Sequence, residues 1–86
     1  MKSIYPSYFD RLNAIADGRD HITISGLVVG STITVDGPET QKIIEPDEDE
    51  LKLTFDQAGR FQIRLLHPDY LTVSYTAIAR APPEGD

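Results

Sequence analysis

Eighty-six residues without cysteine, carrying a net charge of −6, make one small domain, because so short a chain buries only about 60–65% of its unfolded surface and cannot support two cores. The missing cysteines exclude a disulfide framework, thiolate metal ligation and a cysteine nucleophile. The acidic balance, with Lys and Arg scattered, opposes the counterion release that drives nucleic-acid binding, so nucleic acid is not an expected partner. Apolar residues at 40% and charged residues at 26% place the chain among self-folding globular domains. The opening residues lack the apolar stretch of a signal peptide, and no run approaches the ~18 apolar residues that span a bilayer. A cytoplasmic protein with no membrane contact is expected.

In chain order, the first segment is the most ambiguous. Tyr8, Leu12 and Ile15 stand at helical spacing, yet Asp17-Gly18 reads as a hairpin-type turn, which favours a strand over 11–15. Residues 1–10 are then an N-terminal segment. His21–Ser25 alternates with Ile22 and Ile24 on one side and closes at Gly26. Ser31–Val35 repeats the pattern with β-branched residues and stops at Asp36-Gly37-Pro38. These two strands belong to one layer or to facing layers.

Gln41–Glu45 reads as a short edge strand, followed by the charged break Pro46-Asp47-Glu48-Asp49-Glu50. Leu51–Phe55 puts Leu51, Leu53 and Phe55 on one face, and Arg60–Leu66 puts Phe61, Ile63 and Leu65 inward with Arg60, Gln62 and Arg64 outward. An antiparallel hairpin across the turn 56–59 is expected, burying the six apolar residues together. Pro68 makes His67-Pro68-Asp69 the next turn. The last strand runs over 70–79 with Leu71, Val73 and Tyr75 on one face, leaving 80–86 as a disordered tail. About seven short strands separated by turns every 8–12 residues predict an all-β antiparallel sandwich or barrel as a single domain, with its core over 11–79.

Several local patterns recur in a fixed order: Ala16-Asp17-Gly18, Ile22-Thr23-Ile24 closed by Gly26-Leu27, Thr32–Gly37, Gly59-Arg60-Phe61-Gln62-Ile63, and His67-Pro68-Asp69-Tyr70-Leu71. In that order they resemble small immunoglobulin-like domains of bacteria and their phages, above all the accessory domains of phage tail and virion proteins. The resemblance covers residues 16–79. It implies an Ig-like β-sandwich serving adhesion, display or assembly, with a virion location if the chain is phage-derived. Fold kinship is a weak guide to activity. With no Cys pair and no Trp, the inter-sheet disulfide and Trp anchor of antibody domains have no counterpart.

The run Asp47–Glu50 suggests calcium, but four consecutive acids on extended backbone point to opposite sides and lack the curled ligand loop such a site needs. A solvated loop guarding the neighbouring edge strand is the simpler reading. His21 and His67 would need a nucleophile and an orienting carboxylate to act as bases, and no Ser stands in a nucleophile-elbow context. Gly26 and Gly30 are corner residues, since no helix follows them to hold a phosphate. No catalytic, cofactor or metal site is therefore expected.

Two surfaces remain as candidates for a protein partner. Tyr5, Tyr8 and Phe9 cluster around Pro6, where they either cover one end of the domain or anchor an interface. Arg60, Gln62 and Arg64 project from one strand face toward a carboxylate-rich partner or a sugar. The expected function is a non-enzymatic structural or interaction module, with a small carbohydrate-binding domain as the alternative.

Overall fold

The computed structural model describes residues 2–83. Among them there is no helix, and nine strands form two sheets. The strands are β1 (Ser3–Ile4), β2 (Tyr8–Phe9), β3 (Asn13–Ile15), β4 (His21–Ser25), β5 (Thr32–Asp36), β6 (Gln41–Ile44), β7 (Glu50–Thr54), β8 (Gly59–His67) and β9 (Tyr70–Arg80). The larger sheet runs β1-β9-β8-β5-β6, with β3 also on β9, and the smaller runs β2-β4-β7. Most pairs are antiparallel; β1 and β3 lie parallel to the two ends of β9.

Alternation explains how the layers face each other. Ile22, Ile24 and Leu53 from the smaller sheet join Ile33, Val35, Phe61, Ile63, Leu65, Ala77 and Ala79 from the larger one in a single buried cluster. Burying each large aliphatic or aromatic side chain contributes about 1.5–3 kcal/mol, so this shared face dominates stability. Leu71 lies on the inward-facing parity of β9 but is half exposed near the end of the sheet, whereas Val73 and Tyr75 pack against the cluster.

Two expected hairpins are corrected. Residues 51–55 and 60–65 do not form a hairpin: β7 pairs with β4, while β8 pairs with β5 and β9. The segment 56–59 instead crosses between layers, and Phe55 and Phe61 meet across the core with ring centroids 4.8 Å apart. The Asp17-Gly18 turn likewise joins layers rather than neighbours, because β3 lies on β9 and β4 on β7. Its shape is set locally: the Asp17 carboxylate accepts the Arg19 and Asp20 amides, each at 2.8 Å.

Residues 1–10 and the end of the last strand are also more ordered than expected. β1 and β2 tie the N-terminal segment to both sheets, and Arg80 pairs with Ile15. Residues 84–86 of the expected tail lie outside the described residues. The crossing near Pro6 depends on Gly26, whose φ is +75°; a Cβ there would stand 2.3 Å from the Pro6 carbonyl oxygen. Only glycine accepts both the backbone angle and the approach.

Candidate functional site on the outer face of the larger sheet

Because Phe61, Ile63 and Leu65 point into the core, Arg60, Gln62 and Arg64 project from the opposite face of β8. The register sets Arg60 beside Ile78, Gln62 between Asp36 and Thr76, and Arg64 between Thr34 and Ser74. The Gln62 amide donates to Ser74 Oγ at 2.6 Å and accepts from Thr76 Oγ1 at 3.1 Å. Both ends of that amide are thus satisfied within the sheet, which holds it flat. The two guanidiniums differ, since the one ion pair among the described residues joins Arg11 to Asp20. Arg60 and Arg64 stand about 13 Å apart along the strand, both exposed and without a carboxylate partner among the described residues.

The surroundings of these cations are small and partly apolar. Thr34 Oγ1 is buried without a hydrogen-bond partner, and Ile43, its neighbour on β6, is 66% exposed. Ile78 and Leu66 are also exposed on this face. A sheet face with two separated guanidiniums, a row of hydroxyls and exposed isoleucines can bind carboxylates through bidentate pairs while burying apolar area. The period-2 rule makes the basic row legible in sequence. Its apolar companions come from β6 and β9, and only the pairing reveals them.

The N-terminal aromatics do not form one surface. Tyr5 is 2% exposed; its hydroxyl bonds Ser31 Oγ at 2.6 Å and accepts from the Val28 amide at 2.8 Å, and its ring packs on Tyr70 at 5.6 Å. As an exposed anchor it is therefore excluded, because it seals one end of the core. Phe9 is half buried with its ring 4.4 Å from Tyr75, whereas Tyr8 is 67% exposed on the outer face of the smaller sheet. The cause is β2, whose two residues face opposite sides of its sheet.

The histidines are held by local backbone. His67 Nδ1 accepts the Asp69 amide at 3.0 Å, and Nε2 lies 3.0 Å from the Val29 carbonyl oxygen. Backbone contacts at both ring nitrogens make His67 a brace between the β8–β9 turn and the Val29 segment. Asp20 accepts the Ile15 amide at 2.9 Å and pairs with Arg11, and these contacts hold its carboxyl below the ordinary aspartate value. Asp17 is lowered as well, by the Asp20 and Arg19 amides. Among the described residues no group of three or more His, Asp or Glu side chains could hold a metal ion.

The surface of the described residues also carries cavities. One of about 290 Å³ opens beside the β8–β9 turn near His67 and Tyr70. Another, of about 140 Å³, lies where β6 and β7 approach each other. No protein-family model, no curated protein and no solved structure matches this chain.

Proposed function

We propose that this chain is a non-enzymatic interaction module with an immunoglobulin-like sandwich fold, presenting Arg60, Gln62 and Arg64 to a carboxylate-rich protein surface. Support for the fold comes from the pairing order. The β4-β7 pair corresponds to strands B and E, β5-β8-β9 to C, F and G, and β6 to the extra strand beside C in variable-type domains. β2 takes the place of strand A, and among the described residues no strand occupies that of D. The resemblance of residues 16–79 to phage accessory domains supports a structural role in a virion or prophage product.

The single observation that carries the binding reading is the pair of exposed, unpartnered guanidiniums flanking a flat polar row. In a chain of net charge −6, two cations on one strand face, with Asp36 beside Gln62 between them and no ion pair to it, form a local exception to the overall field. Titrating the labelled protein with an oligoglutamate peptide at low salt tests it. Saturable amide shifts at residues 60–64 and 74–78 are expected, and the R60E/R64E variant should abolish them with its melting temperature unchanged. Absence of shifts there would refute the reading. Selective retention on a glycan array, with no response to the peptide, would instead transfer this face to the carbohydrate-binding alternative.

A further inference from the structure

The two lateral sides of the molecule are built differently. On one side the N-terminal chain passes from β1 on β9 to β2 on β4 and back to β3 on β9, lacing the two sheet edges together. On the other side β6 ends the larger sheet and β7 the smaller, and neither has a further strand partner among the described residues. The cavity of about 140 Å³ lies between them, walled by Ile44, by Phe61 and by every residue from Leu51 to Asp56. A strand that lines a cavity with consecutive residues presents its backbone edge, not one of its faces.

Two hydrogen bonds fix which backbone groups that edge exposes. The Gly18 amide donates to the Phe55 carbonyl at 2.9 Å, and the Leu27 amide to the Asp49 carbonyl at 3.0 Å. Both donors flank β4, so the odd-numbered residues of β7 turn their backbone groups toward β4, and Leu51 and Leu53 bond to Ile24 and Ile22. Since these groups alternate along a strand, Glu50, Lys52 and Thr54 turn their N–H and C=O groups to the open side. Three donor–acceptor sets about 6.8 Å apart therefore lie unpaired on the open side, those of Lys52 and Thr54 at the cavity.

We infer that this edge receives an extended segment of another protein, which adds a strand to β7 and seats an apolar side chain in the cavity. Strand addition draws its affinity from main-chain pairing and its selectivity from pockets for alternate side chains. An apolar cavity of about 150 Å³ holds a benzene-sized group, so this one suits a single valine, leucine or phenylalanine side chain. Lys42 and Lys52 line it against the one carboxylate of Asp56, and this surplus of positive charge favours a segment that carries a carboxylate beside the apolar residue. A second copy of the chain is opposed by the net charge of −6 that each copy carries, since like-charged domains repel as a whole.

The test uses a short synthetic peptide of alternating valine and aspartate. Its comparators are a lysine-for-aspartate counterpart and a version with proline at alternate positions, which cannot pair. Saturable binding of the first peptide is expected, with amide exchange at Glu50, Lys52 and Thr54 slowed at least tenfold. The lysine peptide should bind several-fold more weakly and the proline peptide not at all. Lys52→Pro removes an outward amide and no bond to β4, a position where an edge strand tolerates proline; it should keep the fold and lose the peptide. Lys52→Glu, which spares the backbone, should lose the preference for aspartate over lysine. R60E/R64E should bind normally, which separates this edge from the outer face of the larger sheet. No protection of the three amides at millimolar peptide would overturn the inference. So would their protection in peptide-free protein as it dimerises with concentration.

Discussion

Replacing Tyr5 by Phe removes one oxygen atom from a site where two partners depend on it. The Val28 amide donates to that oxygen, which also shares a hydroxyl–hydroxyl bond with Ser31 Oγ, whose residue is 3% exposed. The aromatic ring stays and no cavity opens, which leaves the lost hydrogen bonds as the whole effect. A net bond contributes about 0.5–1.5 kcal/mol, and a buried donor left unpaired costs about 1–3 kcal/mol. Y5F should therefore destabilise by ~2–3 kcal/mol, against a total of roughly 4–13 kcal/mol for a domain of this length. At about 4–8 °C per kcal/mol for small domains, the melting temperature should fall by at least ~8 °C. Urea unfolding should show a lower midpoint at unchanged slope, as expected when stability changes and the exposed surface does not. Ser31→Ala should cost less, because the Val28 bond survives it. A Y5F effect below ~0.5 kcal/mol, the size of a typical surface change, would refute the assignment of Tyr5 to the core, as would a Ser31→Ala effect larger than that of Y5F.

Gly26→Ala should be much more costly than Gly18→Ala. Both glycines have φ near +75°, but a Cβ at Gly18 meets open space and one at Gly26 meets the Pro6 carbonyl; the first should cost the ~1–2 kcal/mol of left-handed backbone alone, and equal losses in urea unfolding would show that the crowding at Pro6 is relieved without cost. The Asp20 carboxyl, lowered first by the Ile15 amide and then by Arg11, should titrate below the ordinary aspartate value in a carbon-detected NMR titration. Its stabilisation is complete above that value and disappears as pH falls through the lowered one, so Asp20→Asn should flatten the acid limb of the stability curve; a normal or raised titration midpoint would contradict the Ile15 and Arg11 contacts.

Period-2 alternation makes faces legible, and it does so for residues 51–55 and 60–65, where Leu53, Phe55, Phe61, Ile63 and Leu65 are all buried. It does not make partners legible. Two consecutive alternating runs produce the same pattern whether they pair edge to edge or face each other across a core. The deciding contacts, Ile22 with Leu53 and Val35 with Ile63, are long-range. β1 and β2 escaped notice for a different reason, since two residues contain no period. Tyr5 could be weighed only as a core cover or an exposed anchor, because its decisive partner Ser31 lies 26 positions away.

The same distinction governs which surfaces sequence can nominate. Arg60 and Arg64 were legible as a pair because one strand carries both, and its inward residues fix their direction. The β6–β7 cavity draws its walls from four strands in two sheets, so no local pattern points to it. Neither the apolar residues of β7 nor the charges around them look unusual alone. What makes the edge a candidate is the asymmetry between a side laced by β1, β2 and β3 and a side that ends in unpaired Glu50, Lys52 and Thr54 backbone groups. Unpaired backbone on an edge that borders the core is either guarded by charge or used by a partner. On the proposed strand addition, Lys52 attracts a segment of opposite charge, while the net charge of −6 keeps copies of the chain apart.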